Sequence, residues 1–597
     1  MRLLYYNSYL MCGIFGYIGK SNDAPQIVLD GLKLLEYRGY DSWGIAVKKG
    51  NKIVLEKHVG KIGDAKTILP KSNLGIGHTR WATHGGVTKQ NAHPHLDCSK
   101  KIALMHNGII ENFQEIKTEL IKKGHKFISE TDTEVVVHLI EEFFKDNDFE
   151  TSVRKAFNRL QGLNAIIVAN ALTNEIVAAK NGSPLLLGKA KDSYYIASDA
   201  AGIIRRTNEV LFLEDNQMVS VSNKLKLLKL PSGEELIPKF QTLDWKFEEA
   251  QKGKFKHFLL KEIYEQPHVL ENIAINYSDA TKKLVDLISK AFGTFMLGCG
   301  TASYAALFGT YLFSKIAKRH INFSIGSEFN YLEDYITQKS LVIAISQSGE
   351  TIDVVEPVNK AKRKGATIAA ITNVLGSTIY RQSDYKILLN AGPEKAVVGT
   401  KSFTAMIAVL LLIAYTFVGK QDKGKELLLK AANNVSEILK DGFVARIKNI
   451  AKKLKEKEHI YVLGRGLSYA TALEVTLKLK ETSYVHAEGF AGGELKHGVI
   501  ALIEKGTPCI IIAPNDETYD DIVSNAQEVK ARGAYILGIG PKDNQVFDEY
   551  LPTKDCEEAT IIPQVVIAQL LAYYIALEKG VSDPDKPRNL AKSVTVK

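Results

Sequence analysis

At 597 residues the chain is too long for one hydrophobic core and implies three or four domains of ordinary size. It is 45% hydrophobic and 24% charged, a soluble globular profile, and its net charge of +10 comes from lysines spread along the chain. That pattern speaks against nucleic-acid binding and suits small anionic substrates. The five cysteines, Cys12, Cys98, Cys299, Cys509 and Cys556, are scattered and never spaced C-x-x-C. This argues against a disulfide framework or a zinc site, and for a reducing compartment.

Residues 1–11 form an overhang, too short and polar for a secretory signal, that precedes Cys12 in MCGIFGYIG. A Cys-Gly-Ile-Phe-Gly start suits an enzyme whose first residue is its nucleophile, the free α-amino group serving as base. A buried cysteine in a first β-strand is the alternative. If the first reading holds, residues 1–11 are absent from the mature enzyme. From 12 to about 228, short strands and glycine turns alternate with helical stretches at 25–36, 112–123 and 133–144, an α+β layered pattern. Residues 229–276 read as a polar connector.

Beyond it, apolar strands run into Gly-rich turns and helices, as in a parallel α/β sheet. LGCG at 297–300 matches LGRG at 463–466, LVIAIS from Leu341 answers CIIIAP from Cys509, and ATIAAITN from Ala366 answers GAYILGIG from Gly533. The three offsets agree to within two residues. We read two copies of one doubly wound domain, 277–418 and 450–585, followed by a tail at 586–597. The apolar run at 405–418 is too short for a membrane span and reads as a buried helix. With no targeting signal or membrane span, the cytoplasm is the expected location.

Several motifs carry chemistry. HTRWATHGG, 78–86, is expected to be a loop. Its Arg80 offers a planar fork for an α-carboxylate. Trp81 suits a lid or the core, and His84 a base, a ligand or a turn. Asn107-Gly108 supplies a side-chain amide and a close backbone N–H for an oxyanion, or else a type I′ hairpin turn. In TDTE, Asp132 suits a substrate ammonium or belongs to a helix cap. SQSGET, 346–351, stands between a strand and a helix, where hydroxyls and N–H groups converge as a phosphate needs; a capped helix start is the alternative. The second copy has PNDE there, so one phosphate site per repeat pair is expected. The G-x-G strings lack G-x-G-x-x-G, which makes a nicotinamide site unexpected. Lys478 and Glu481, i and i+3 on a helix face, are a surface salt bridge or a base held beside a cation. A proton shift between C1 and C2 of a sugar needs one such carboxylate.

The ordered set CGIFG, YRGYDS, HTRWATHG, HNG and ETDTE resembles the class II glutamine amidotransferase domain, an N-terminal-nucleophile hydrolase of αββα layers. The resemblance implies Cys12 as nucleophile, Asn107 and Gly108 as oxyanion hole, and Arg80, Thr83, His84, Gly108 and Asp132 as glutamine contacts. SQSGET, the doubled fold, ELKHG and RNLAKSVTV resemble the sugar isomerase pair of the glucosamine-6-phosphate synthase family. By that resemblance Ser346, Gln347, Ser348 and Thr351 hold the sugar phosphate and Thr301 contacts the sugar. Glu481 moves the proton beside Lys478, and His497 of a neighbouring subunit opens the ring. Lys592 forms a Schiff base, and Trp81 gates an ammonia channel. The implied reaction turns fructose 6-phosphate and glutamine into glucosamine 6-phosphate and glutamate in a homodimer without cofactor or metal. Two departures stand out: Ala302 replaces the serine of CGTS, and Gly399 replaces the serine before Thr-Lys. The competing readings are a non-catalytic sugar-phosphate sensor and an amidotransferase with another acceptor.

Overall fold

Alternation along the early strands divides their side chains between two cores. In the strand Ile102–Gly108, Ala103 and Met105 face one core while Ile102 and Leu104 face another. In Asn164–Asn170, Ala165, Ile167 and Ala169 join the first, and Ile166 and Val168 the second. The computed structural model describes residues 12–81, 85–222, 224–242 and 252–594. The chain divides into two units, Met1–Gln251 with Ala591–Lys597, and Lys252–Leu590.

The first unit holds two antiparallel sheets. One has eight strands, in the spatial order Gln241–Thr242, Glu209–Phe212, Leu186–Ala190, Ser193–Ala197, Gly13–Gly19, Leu74–Arg80, Ser42–Lys49 and Lys52–Val59. The other has seven: Glu234–Leu236, Leu225–Lys229, Gln217–Val221, Glu175–Lys180, Asn164–Asn170, Ile102–Gly108 and His95–Leu96. Ile14 and Ile76 of the first sheet and Ile167 and Val219 of the second share the core between them. The helix Ala24–Leu35 covers the outer face of the first sheet, with Val28 and Leu32 against Gly77. Phe113–Lys122, Glu134–Phe143 and Phe149–Asn158 supply apolar side chains to the core on the outer face of the second. The result is the expected helix–sheet–sheet–helix stack. The last of these helices escaped the sequence reading.

The second unit contains two five-stranded parallel sheets of identical topology. The first runs Asn322–Ile325, Gly293–Gly298, Ser340–Ser346, Thr367–Thr372 and Tyr385–Leu388. The second runs His486–Ala491, His459–Gly464, Pro508–Ile512, Tyr535–Gly540 and Glu549–Pro552. Each follows the strand order 2-1-3-4-5 of a doubly wound sheet. The repeat extends to backbone angles. Gly300 has φ 54°, ψ −129° and Gly466 φ 54°, ψ −125°, each immediately before a helix. The buried helices Lys401–Phe417 and Ile561–Glu578 belong to one core common to both copies. The segment Glu557–Glu578 is long and apolar enough to cross a membrane by length and composition, but 94% of its apolar window is buried in the fold.

Two readings need correction. Residues 229–276 are not simply a connector: Glu234–Leu236 and Gln241–Thr242 pair into the first unit's sheets, and Phe258–Asn276 is a helix of the second unit's core. Residues 78–80 are not loop either, because the strand Leu74–Arg80 continues through them.

The strand-to-helix turn of the second copy depends on Gly464, where a Cβ would run into the carbonyl of Ser468. Gly464→Ala is expected to destabilise that unit by about 1–3 kcal/mol through overpacking. Gly442→Ala, in a helix where an added Cβ meets nothing within 4 Å, should be neutral or stabilise by up to about 1 kcal/mol. Thermal midpoints of the two variants check the contrast; equal midpoints would refute it.

Candidate active sites

Cys12 lies at the start of the strand Gly13–Gly19, in the middle of the eight-stranded sheet. Its Sγ accepts a hydrogen bond from Trp81 N at 3.2 Å. Burial pushes the thiol up to about 11, against the opposing influence of the Trp81 amide and the Arg80 and Arg38 charges. Asn107 Nδ2 donates to Cys12 O at 2.8 Å, and Arg38 Nε donates to the same oxygen at 3.4 Å. Asn107 is held in turn by His78, whose Nε2 is 3.1 Å from Asn107 Oδ1. Burial drives His78 down to about 3, so it is neutral and serves as an N–H donor. That fixes the amide with its NH2 toward Cys12. Sequence reasoning gave no role to His78, or to the pair of Arg38 with Asp199 at 3.1 Å. Both stand inside or opposite quoted motifs, but their partners are remote in sequence.

The Asn107-Gly108 pair is no hairpin turn: Asn107 pairs with Ala165 and Gly108 with Asn164 across the ladder. Gly108 has φ 131°, and a Cβ there would collide with Leu163 O. Only glycine is comfortable at such a position. Asp132 Oδ2 accepts from Ile110 N at 2.8 Å. Arg80 is buried and donates to the carbonyls of Gly86 and Gly85 at 3.2 and 3.3 Å. Trp81 meets Tyr40 edge-on at 5.0 Å. Thr83 and His84 lie outside the described residues.

In the second unit, the strand order of the first copy reverses direction between Gly293–Gly298 and Ser340–Ser346. Ligands of doubly wound sheets bind in the crevice at the carboxyl ends of such strands. The loops 299–301 and 346–351 flank it. In SQSGET, Ser346 Oγ accepts from Gly349 N at 3.0 Å and lies 3.4 Å from Thr351 Oγ1. Ser348 Oγ accepts from Glu350 N at 3.2 Å, and Gln347 O accepts from Asn373 N at 3.1 Å. Thr351 stands at the N-cap position of the helix Ile352–Arg363 without a side-chain capping bond. Thr372 Oγ1 and Ser377 Oγ, beside Gly349, are buried without a hydrogen-bond partner. At the matching point of the second copy, Asp516 and Glu517 pair with Lys315 at 3.7 and 2.9 Å.

Beside this crevice lies a buried charge cluster. Lys478 Nζ donates to Glu481 Oε2 at 2.7 Å, Thr301 Oγ1 at 2.9 Å and Gly399 O at 3.1 Å, and lies 3.3 Å from Glu474 Oε1. Lys478 and Glu474 are fully buried, whereas the Glu481 side chain is 18% exposed. The pair is therefore not a surface salt bridge. Burial, reinforced by Glu481 and opposed by Lys478, pushes Glu474 up to about 8. Its second oxygen has no hydrogen-bond partner. Glu474 was missed in the sequence because a helical Glu four residues before a Lys usually marks a solvated face. The Thr301 hydroxyl, expected at the sugar, accepts from Lys478 Nζ and lies 3.4 Å from Glu474 Oε1.

The departures are structurally mild. Ser303 Oγ donates to Gly300 O at 2.7 Å and so does not replace the hydroxyl missing at Ala302. A Cβ at Gly399 would make only ordinary contacts, the nearest at 3.6 Å to Ser402 Oγ. His497 is exposed on the turn Gly492–His497, and among the described residues no hydrogen bond or ion pair joins it to the cluster. The tail is anchored ahead of Lys592. Asp585 accepts from Phe258 N and Leu259 N at 2.8 and 2.7 Å, and Arg588 stacks on Tyr484 at 4.4 Å.

Comparison with known proteins agrees with this division. A family described as a glutamine amidotransferase domain matches residues 56–232, and one described as an SIS domain matches 287–415 and again 453–576. The chain is 42% identical to a glutamine–fructose-6-phosphate aminotransferase [isomerizing] of Thermococcus kodakarensis, over 98% of this chain and 100% of that one. A protein of the same name from Pyrococcus horikoshii matches with the same identity and coverage. Among solved structures, the C-terminal domain of glucosamine-fructose-6-phosphate aminotransferase from Francisella tularensis superposes with a TM-score of 0.52 at 34% identity, covering 55% of this chain and 98% of that one. By this full-length similarity, the chain belongs to the family of isomerizing glutamine–fructose-6-phosphate aminotransferases.

Proposed function

We propose that this protein converts fructose 6-phosphate and glutamine into glucosamine 6-phosphate and glutamate. Cys12 forms the thioester, and Asn107 and Gly108 stabilise its oxyanion. Arg80, Thr83, His84 and Asp132 hold glutamine, and Trp81 gates passage of the released ammonia. Ser346, Gln347, Ser348 and Thr351 bind the sugar phosphate at a helix N-terminus. Lys592 forms the Schiff base with the keto carbon, His497 from a neighbouring copy opens the ring, and Glu481 carries the proton between C1 and C2. The enzyme acts as a cytoplasmic homodimer.

One observation carries this reading: a partly exposed carboxylate, Glu481, held at 2.7 Å by a fully buried ammonium beside the switch-point crevice. A sugar-phosphate sensor needs a phosphate cradle but no such base. The buried cation fixes Glu481 in direction, as proton transfer requires. Neutral Glu474 lets two acids share one cation without excess negative charge.

Glu481→Gln is expected to lower amino-sugar formation by about 10²–10⁴-fold while leaving glutamine hydrolysis intact. Glu474→Gln mimics the protonated acid and should retain most activity. Glu474 holds its proton more tightly folded, at about 8, than at its ordinary 4.5. Stability should therefore fall as pH rises across that interval, and Glu474→Gln should flatten the slope. Urea titrations at several pH values check this; parallel slopes for the two proteins would refute the neutral acid.

Borohydride reduction in the presence of fructose 6-phosphate should label Lys592. Lys592→Arg should abolish both the label and amino-sugar synthesis without unfolding the protein. Peptide mapping that finds the label on a different lysine would remove Lys592 from the mechanism.

In the 597-residue chain the Cys12 nitrogen is an amide and has no basic lone pair. A form beginning Met11-Cys12, trimmed to a free cysteine, should hydrolyse glutamine, whereas chain with residues 1–11 attached should be nearly inactive. N-terminal mass with glutamate release decides this. Equal activity of the untrimmed chain would require a different base.

A further inference from the structure

Among the described residues, one group away from both sites unites four side chains that can bind a metal. Cys98, His125, His138 and Glu141 each place a ligand atom within 4.8 Å of the others. Cys98 Sγ lies 3.8 Å from His125 Nδ1 and 3.6 Å from His138 Nδ1. Glu141 Oε2 lies 3.1 and 3.2 Å from the same two nitrogens. Bonds of about 2.0–2.3 Å around tetrahedral zinc put sulfur and nitrogen about 3.5 Å apart and nitrogen and oxygen about 3.3 Å apart. The observed edges match that geometry.

The four residues come from three segments fixed independently. Cys98 sits in a turn whose Asp97 carboxylate accepts from Lys101 N and Ile102 N at 2.7 and 2.8 Å. His125 follows Gly124, whose φ of 91° ends the helix Phe113–Lys122, and its N–H donates to Leu120 O at 3.1 Å. His138 and Glu141 are i and i+3 on Glu134–Phe143, on one face of that helix. Of the far nitrogens, His125 Nε2 lies 3.1 Å from Glu142 Oε2, whereas His138 Nε2 makes no hydrogen bond and has Glu134 Oε1 at 3.7 Å. Metal-binding histidines are usually oriented by such carboxylates.

A proton-held network of histidines and glutamates explains less. Each Nδ1 faces both the Cys98 sulfur and the Glu141 oxygen, and one N–H cannot point at two acceptors on different sides. Four ligand atoms converging on one centre suit a cation there. One thiolate and one carboxylate neutralise a divalent charge, and the sulfur–imidazole set selects zinc over magnesium or calcium. We propose that Cys98, His125, His138 and Glu141 form a closed structural zinc site. Single ligands from separate segments leave no C-x-x-C signature, so the expectation drawn from cysteine spacing could not detect it. None of the four ligands is a residue assigned to the glutamine site, and from Ile102, beyond the Cys98 turn, to Asn107 the strand runs about 17 Å at 3.3 Å per residue. It staples the turn at Cys98 to the helix that follows the Asp132 loop.

The test uses full-length protein stripped with a chelator under reducing conditions, then titrated with zinc alone and, separately, with cobalt alone. The parent should bind one zinc per chain at this site, rise in thermal midpoint with zinc, and show tetrahedral cobalt bands with a thiolate charge-transfer band. Cys98→Ser removes an exposed side chain, so its fold should persist, yet it should lose the charge-transfer band, that equivalent of zinc and the thermal shift. Cys12→Ser should keep all three. Glu142→Gln should keep the stoichiometry and weaken affinity about tenfold. No charge-transfer band in the parent, or an unchanged band and stoichiometry in Cys98→Ser, would overturn the proposal.

Discussion

The sugar half depends on one buried ammonium. An uncompensated charge in a protein interior is strongly destabilising, so Lys478 must find partners wherever the chain can supply them. It takes two from its own helix, Glu474 and Glu481, and two from the first copy of the repeat, Thr301 and Gly399. The same requirement thereby ties the two copies together and aims Glu481. Gly399 contributes only its carbonyl, which any residue could supply, so the departure there leaves the cluster unaffected.

The glutamine half uses the same logic with a neutral donor. His78 is too buried to hold a proton charge, and this neutrality makes it a dependable N–H donor to Asn107. The Asn107 amide is then turned toward Cys12 before any substrate arrives; in the proposed role as an oxyanion donor, that avoids reorganisation during reaction. The buried thiol, held up near 11, needs a base close at hand. In the proposed mechanism a free α-amino group on the same residue meets that need.

Much of the fold was legible because it follows from period and punctuation. Strands with side chains alternating between two cores, glycine turns and the offset repeat all belong to local sequence. The helix Phe258–Asn276 was hidden by a polar approach and an internal Pro267. The strand through Arg80 was hidden because the motif containing it resembles a binding loop. Site residues were legible as motifs, but not their partners. Glu474 looks like a surface charge until its burial is known, and Arg38 and Asp199 meet across 161 residues. The Cys98 cluster joins residues that share no motif. In each case the missing information is tertiary contact, which a spacing rule does not encode.

One chain couples glutamine hydrolysis to amination of a sugar. The direct measurement is to supply glutamine labelled with ¹⁵N in the amide, with fructose 6-phosphate and an excess of unlabelled ammonium. Mass spectrometry of the amino sugar then reports where its nitrogen came from. Glucosamine 6-phosphate should carry the label despite the excess, with glutamate released in equal amount. Amino sugar bearing only bulk nitrogen, or glutamate released without amino sugar, would contradict it.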